Sequence, residues 1–256
     1  MTASLALPRV GVVRHLVRRD FRLRYQGSTL GLAWSLLLPL TQLVVLVFLF
    51  ERVVPLGIPG YPAFVFSGLL PWTWFSGCIA GAGTLFLGNR DLVRRPDFDP
   101  IVIVLVSTLS NLLGYLVGVP ILLAVCASYD APVTPALLAL PGVLLIEGVL
   151  ILGLSLVIAT LNVFYRDVQH IAGVALTLLF YLTPVFYRGP EAGERLQMLF
   201  TLSPIAVVVQ AHRAIFLQGE LPGGGALLTA ALTSTLVCAF GYALYRRQQH
   251  DIVDAI

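Results

Sequence analysis

Lysine is absent from this chain, and charged residues of either sign are few. All 16 basic residues are arginine, and charged residues make up 11% of the 256, whereas a soluble domain carries about 25%. Without lysine the chain contains no phosphate-binding loop of the GxxxxGK(S/T) type, no Schiff-base lysine and no lysine general base. If ATP drives the activity, another chain must bind it, and we expect no cofactor in this one.

Cysteine and histidine are also sparse, and their positions do not indicate a site. The cysteines are odd in number and lie in or beside apolar runs, which favours buried free thiols over disulfides or metal ligands. The histidines lack zinc-binding spacing, and no Ser-His-Asp set is recognisable. We therefore predict no catalytic residue and no metal ligand among Cys78, Cys126, Cys238, His15, His170, His212 and His250.

Apolar residues dominate the composition, at 58% of the chain with a mean hydropathy of +0.90. Because so few charges cannot cover a water-facing surface, lipid is the expected solvent, and each backbone polar group must be bonded within the chain. The sequence therefore predicts an all-α membrane protein. A helix needs about 20 apolar residues to cross the hydrocarbon core. We predict six transmembrane helices, at residues 30–50, 62–86, 101–126, 136–161, 169–187 and 226–245.

A further apolar stretch, residues 196–217, lies between the fifth and sixth predicted spans. Ser203-Pro204 interrupts it, and the residue before a proline resists helical geometry. Its two halves, of about ten residues each, are too short to cross the hydrocarbon core. We predict a re-entrant helical hairpin here.

The arginines are distributed unevenly between the predicted loops. Twelve fall at the N-terminus, in the loops after the second and fourth spans, and at the C-terminus. The other four fall on the opposite side: Arg52, Arg188, Arg195 and Arg213. The positive-inside rule therefore predicts that both termini are cytoplasmic. We expect one transmembrane domain over residues 1–256, with a cytoplasmic amphipathic helix within 1–26, six spans within 30–245 and a cytoplasmic tail at 246–256.

Apolar residues recur at helical spacing between Val10 and Phe21, opposite a row of arginines. This pattern predicts a basic amphipathic helix over residues 10–25, lying in the cytoplasmic membrane interface. The alternative is a solvated basic tail.

Four segments, in order along the chain, carry a resemblance to a known family. They are RYQGSTLGLAWSLLLPL (24–40), YPAFVFSGLLPWTWFS (61–76), LNVFYRDVQHI (161–171), and LTPVFY (182–187) followed by SPIAVVVQAHRAIF (203–216). Together they resemble the type-2 ABC transporter permeases of the polysaccharide, O-antigen and teichoic acid export family. One departure follows Leu92-Val93-Arg94-Arg95, where Pro96-Asp97-Phe98-Asp99-Pro100 replaces the aromatic-proline step that is usual in the family.

The resemblance implies the membrane-spanning subunit of an ABC exporter in a bacterial cytoplasmic (inner) membrane, and not an enzyme. It implies a homodimer of this chain working with two copies of an ABC ATPase subunit, which would bind ATP and Mg²⁺. The expected cargo is a lipid-linked polysaccharide of the O-antigen, capsular or teichoic acid type, carried outward from the cytoplasm. We expect contact with membrane lipid, and we do not expect a nucleic-acid partner.

The resemblance also suggests roles for charged residues in the N-terminal helix and in two cytoplasmic loops. These residues are expected to couple the permease to its ATPase, with solvated loop charge as the alternative: Arg14, Arg18, Arg22, Arg94, Arg95, Arg166 and Asp167.

Two further sets of residues are predicted to act in transport and in helix packing. Aromatic residues are candidates for a glycan path, because sugar rings present apolar C–H faces to aromatic rings. An interfacial aromatic belt is the alternative. The candidates are Trp34, Trp72, Trp74, Phe75, Tyr181, Phe186 and Tyr187. Gly27 and Gly31, one G-x-x-x-G step at the head of the first span, are candidates for close helix packing in a dimer.

Glu147 lies near the middle of the fourth predicted span, where an ionised carboxylate is costly. A structural or cavity-facing role is favoured over a proton relay, because no second carboxylate or histidine partner is visible in the spans. Three other functions stay open: a type-2 permease for a small drug or lipid, an intramembrane glycan-modifying enzyme, and a passive channel or scaffold. The enzyme would require clustered carboxylates or a histidine, and only the isolated Glu147 and Asp130 are seen.

Overall fold

The computed structural model describes residues 10–25, 33–188, 200 and 202–256, and the regular structure in this part of the chain is helical throughout. The helices are α1 (Val10–Tyr25), α2 (Ala33–Phe48), α3 (Tyr61–Ala82), α4 (Leu85–Gly88), α5 (Arg90–Val93), α6 (Ile101–Ala127), α7 (Leu140–Phe164), α8 (Val168–Leu182), α9 (Pro204–Arg213) and α10 (Gly224–Ala255). π-Helical turns extend α2 by Leu49–Val53 and α9 by Ala214–Gln218, and a 3-10 turn, Pro135–Ala139, precedes α7. The all-α prediction is confirmed.

Five segments are long and apolar enough to cross a membrane, and they correspond to five of the six predicted spans. They are Leu36–Val53, Tyr61–Ala82, Ile101–Ala127, Pro135–Phe164 and Gly224–Ala255. The remaining predicted span corresponds to α8, which has 15 residues. At 1.5 Å per residue α8 is roughly 22 Å long, shorter than the hydrocarbon core of about 30 Å. The number six therefore stays a prediction.

Prolines mark the beginnings of several helices. Pro62, Pro141 and Pro204 stand in the first turns of α3, α7 and α9, where a missing N–H costs nothing. The break expected at Ser203-Pro204 is therefore the start of α9. Pro71 behaves differently, because α3 continues through it, and the helix is not broken at that point.

Helix α3 is the centre of the bundle. It contacts α2, α6, α7, α8 and α9. In its most apolar stretch 78% of the residues are buried, compared with 17% in the corresponding stretches of α2 and α10. The sequence of α3 is apolar on all sides, as expected for a helix enclosed by protein. Helices α2 and α10 leave much apolar surface uncovered within a single chain, including Val44, Phe48 and Leu236.

The most extensive helix pair is α7 with α10, and two glycines permit its close approach. A Cβ at Gly153 would lie 2.6 Å from the backbone of Cys238, and a Cβ at Gly241 would collide with the carbonyl oxygen of Gly153. Small residues at such crossings are the usual means by which membrane helices approach each other. This pair was not among the predicted packing glycines.

One end of the bundle collects the arginine-rich segments, and we call it the basic end. Helix α1 lies along α6 there, with Leu16, Arg19 and Asp20 facing Leu85, Asn89 and Leu92 across a shallow groove. The loop after α5 joins the end of α10, because the Tyr245 hydroxyl donates a hydrogen bond to Asp99 Oδ1 at 2.8 Å. The turn between α7 and α8 is tied to the end of α3.

The other end collects the connections between α2 and α3, between α6 and α7, and between α8 and α10, and we call it the opposite end. The Tyr61 hydroxyl donates to the carbonyl of Phe186 at 2.9 Å, and the Thr134 hydroxyl donates to the carbonyl of Gly219 at 2.7 Å. Gly60, with φ of 61°, turns the chain into α3 beneath the ring of Tyr129. These bonds hold the opposite end together independently of the basic end.

Candidate functional site

The predicted coupling residues project from the basic end. All seven side chains are exposed: Arg14, Arg18, Arg22, Arg94, Arg95, Arg166 and Asp167. They come from three segments that the fold brings to one end, namely α1, the loop after α5 and the turn after α7. A charged surface assembled from distant parts of the chain is available for contact with another protein.

The turn after α7 is attached to α3 through two amide side chains. Asn162 is buried, donates its Nδ2 to the carbonyl of Gly83 at 2.9 Å, and accepts the Gln169 backbone N–H at 3.0 Å. The Gln169 side chain in turn donates to the carbonyl of Ala80. Gly83 has no room for a Cβ, which would lie 3.1 Å from Asn162 Cγ. The exposed Arg166 and Asp167 therefore sit on a turn that is bonded to the central helix.

The loop that departs from the family pattern is also held in place. Asp99 accepts the backbone N–H of Ile101 at 3.1 Å as well as the Tyr245 hydroxyl. The ring of Tyr245 lies 6.0 Å from that of Phe86, and Ile252 and Ile256 are buried beside them. Arg94 and Arg95 therefore stand on a loop whose far side is fixed to the C-terminal part of α10.

The predicted path aromatics fall into a buried group and an exposed group. Trp72, Trp74 and Phe75 are each less than 5% exposed within one chain. Tyr181 is 61% exposed and Trp34 is 53% exposed.

Phe180, which was not predicted, connects several of these rings: it lies 5.5 Å from Trp72, 5.5 Å from Phe186 and 5.6 Å from Tyr181. Tyr187 lies 5.1 Å from Phe186. The structure thus joins Trp72, Phe75, Tyr181, Phe186 and Tyr187 in one aromatic cluster, and Trp34 is not part of it.

A second cluster contains polar groups in the middle of the bundle. The Trp74 indole donates to the carbonyl of Thr108 at 3.1 Å, and its ring lies 5.9 Å from Tyr115. The Tyr115 hydroxyl is 2.8 Å from His212 Nε2, and His212 Nδ1 is 2.9 Å from the carbonyl of Val208. Since a carbonyl only accepts, Nδ1 carries the proton and Nε2 accepts the Tyr115 hydroxyl.

Sequence reasoning missed this connection between α6 and α9. Burial lowers the pKa of His212 to about 4, against a smaller opposing effect of the bond to Val208, so the ring is neutral at pH 7. Glu147 is fully buried, and its carboxyl oxygens have no hydrogen-bond partner among the described residues. Its role, structural or cavity-facing, stays a prediction.

Two of the four family-like segments, 61–76 and the pair 182–187 and 203–216, converge at Arg213 near the opposite end. Arg213 is 8% exposed, donates Nη2 to the carbonyl of Val185 at 2.6 Å, and holds its guanidinium carbon 3.7 Å from the ring centroid of Phe64. A Cβ at Gly68 would lie 2.9 Å from the Val185 oxygen. Sequence analysis had only counted Arg213 among the four arginines opposite the basic side, and its burial between α3 and the chain after α8 was not foreseen.

Two predicted packing residues, Gly27 and Gly31, lie outside the described residues, as does most of the first half of the predicted hairpin. The second half is α9 with its π-helical extension, whose residues Ile205 to Val209 are buried against the bundle. None of the described site residues forms a candidate metal centre, since no group of three His, Cys, Asp or Glu side chains comes together in that part of the chain.

A bundle of apolar helices, five of them long enough to cross a membrane, with charged residues gathered at one end is typical of a multi-pass membrane protein. A family model described as "ABC-2 type transporter" matches residues 12–217. The chain belongs to this family. It is therefore a transport permease and not an enzyme, and its ABC ATPase is a separate subunit.

Several curated proteins are similar to this chain. The O-antigen export system permease protein RfbA of Myxococcus xanthus is 31% identical over 96% of this chain and 95% of its own length. A protein of the same name from Klebsiella pneumoniae is 29% identical over 80% of each chain. The polysialic acid transport protein KpsM of Escherichia coli is 24% identical over 94% of this chain and 95% of its own length.

Proposed function

We propose that this chain is the membrane-spanning subunit of an ABC exporter that moves a lipid-linked polysaccharide from the cytoplasm to the outside. The observation that carries the proposal is the similarity to an O-antigen export permease along nearly the whole of both chains. Membership in the ABC-2 family alone would equally suit a permease for a small drug or lipid. The relatives named for O-antigen and polysialic acid favour the glycan.

The proposed topology has six spans, with α8 as the short fifth one, and both termini in the cytoplasm. Its basis is the distribution of arginine: the basic end would face the cytoplasm, in agreement with the positive-inside rule. Helix α1 would lie in the interface as an amphipathic helix. Helix α9 would be the second arm of a re-entrant hairpin on the external side, and the chain as a whole would be one transmembrane domain.

The basic end is proposed to receive the ATPase. Two chains would form a homodimer above two ATPase subunits, and those subunits would bind ATP and Mg²⁺. Arg14, Arg18 and Arg22 on α1, Arg94 and Arg95 after α5, and Arg166 with Asp167 after α7 would make the contacts. Nucleotide binding would then bias the dimer between closed and conducting states through these contacts.

The glycan is proposed to pass along aromatic residues, where its apolar C–H faces find matching surfaces. In a single chain the exposed Tyr181 and the half-buried Phe186 and Tyr187 are available for this role. The exposed Trp34 is a separate candidate. Trp72, Trp74 and Phe75 are buried and would support the path or enter it only when the helices move. Gly27 and Gly31 would allow the two copies to approach closely.

The proposal is tested by depleting the protein in its native bacterium and measuring lipid-linked glycan inside and polymer at the surface. Export predicts that glycan accumulates on the cytoplasmic side while surface polymer falls. If glycan synthesis stops without an internal pool, an enzymatic function replaces the proposal. If neither quantity changes, a permease for a small drug or lipid replaces it. A strain that carries the gene on a plasmid should recover surface polymer.

A further inference from the structure

Arg213 is buried, yet its bonding capacity is only partly used. Its Nη2 donates to Val185, but its Nε has no hydrogen-bond partner among the described residues. A buried guanidinium with unsatisfied donors is costly unless an anion or an acceptor compensates it. The ring of Phe64 offers a cation–π contact at 3.7 Å but no hydrogen-bond acceptor for the guanidinium N–H groups.

The charges around Arg213 do not compensate it either. Burial lowers the pKa of its guanidinium to about 9, so the group is still cationic at pH 7. Among the described residues, the groups that act on it electrostatically are Tyr61, Arg188 and Tyr187, and none of these is a carboxylate. Arg188 has the same sign of charge and therefore repels Arg213. Two arginines that line the same cavities favour the binding of an anion there.

Two cavities open beside these arginines at the opposite end. One has a volume of about 450 Å³ and the other about 650 Å³. Phe64, Arg188, Arg213 and Gln218 line both of them. Sites for small molecules commonly have volumes of about 300–1,000 Å³, and both cavities lie within this range.

The two cavities differ in the rest of their walls. The smaller one continues between apolar residues of α9 and α10, among them Val207, Ala226 and Leu227. The larger one is bordered by Ser128, Tyr129 and the acidic Asp130. An amphiphile with a charged group at the arginines and an apolar chain along α9 and α10 would match this division.

We propose that Arg213 and Arg188 bind a phosphate group carried by a lipid. Arg213 donates from the buried side, with Phe64 and Val185 fixing the plane of its guanidinium, and Arg188 donates from the exposed side. Charge-assisted bonds of this kind are roughly twice as strong as neutral ones. If the proposed function is right, the phosphate is the diphosphate of the lipid-linked glycan, and otherwise it is the headgroup of a membrane phospholipid.

Binding is tested with the purified protein in nanodiscs of neutral phosphatidylcholine, using farnesyl diphosphate as the probe. We expect Arg188→Gln and Arg213→Gln each to weaken binding at least tenfold. Arg52→Gln, an exposed arginine of the turn that ends α2, is the matched control and should change the dissociation constant less than twofold. Arg188 is exposed, so its variant tests the site even if Arg213→Gln fails to fold. Farnesol should not bind at the arginines, because it lacks the phosphate.

Two further arms separate the sources of the phosphate. Adding phosphatidylglycerol to the nanodiscs leaves farnesyl diphosphate binding unchanged if the site selects a diphosphate, and weakens it at least tenfold if the site holds phospholipid headgroups. Equal affinity for inorganic pyrophosphate and farnesyl diphosphate would overturn the lipid part of the proposal. Unchanged binding in both arginine variants would overturn all of it and leave the export function standing. Loss of binding together with an unaffected glycan pool on depletion would instead reject the export function.

Discussion

Gly153 of α7 faces Cys238 of α10 so closely that a Cβ on Gly153 would lie 2.6 Å from the Cα of Cys238. The contact is between backbones, which cannot move aside as a flexible side chain can. We expect Gly153→Leu to separate the two helices and lower the free energy of unfolding by about 2–3 kcal/mol. Thermal unfolding in detergent measures the effect. Gly142→Leu, in the same helix and with open space around it, is the control and should unfold as the wild type does.

The amide of Asn162 is expected to hold the charged turn after α7 to α3. In Asn162→Ala, the carbonyl of Gly83 and the N–H of Gln169 both lose their partner, at a cost of about 1–3 kcal/mol. ATP-driven export should fall more than the amount of folded protein does, because the turn would move independently of α3. The measurement is the ratio of exported polymer to the amount of the permease in the membrane. Thr84→Ala, at the same helix end but exposed, should leave the ratio unchanged, and an equal ratio in both variants would contradict the prediction.

Reversing charge at the basic end should affect coupling without affecting the fold. Arg94, Arg95 and Arg166 are exposed, so replacing each by glutamate should change stability by less than about 0.5 kcal/mol. We expect reduced recovery of the ATPase with the purified permease and reduced surface polymer. Arg52→Glu, an exposed arginine outside the basic end, serves as the control. Normal ATPase recovery in all three variants would remove these residues from the interface.

Because His212 is buried in its neutral form, we expect the free energy of unfolding to depend on pH. The pKa of its ring is about 4 in the folded chain and 6.5 when unperturbed, so the folded state disfavours the proton. Above pH 6.5 the free energy of unfolding does not depend on His212. As the pH falls from 6.5 toward 4, the unfolded chain takes up the proton more readily, and the free energy of unfolding decreases by about 3 kcal/mol in all. Unfolding temperature against pH measures the slope. His212→Gln, which keeps an acceptor for Tyr115, should be less sensitive to acid in this range, and an unchanged slope would contradict the prediction.

Hydropathy was sufficient to predict the five helices that are long enough to cross a membrane, because in lipid each apolar run must satisfy its own backbone. The break at Ser203-Pro204 was also predictable, because a proline restricts the backbone of the residue before it whatever the rest of the fold. The burial of Arg213 was missed because local sequence does not say which neighbours will cover a side chain. The hydrogen bond from Tyr115 to His212 joins residues 97 apart, and no periodic pattern links such positions. Gly153 and Gly241 were missed for the same reason, since neither belongs to a G-x-x-x-G step.

The attachment of the α7–α8 turn to α3 has a mechanical consequence. Helix α3 has 22 residues, about 33 Å at 1.5 Å per residue, and it begins at Tyr61, whose hydroxyl is bonded to Phe186. An unbroken helix transmits an axial displacement with little compression, because shortening it would strain every hydrogen bond along its length. A displacement of the turn at Arg166 would therefore act on the same helix as Gly68 and Phe64, which enclose Arg213.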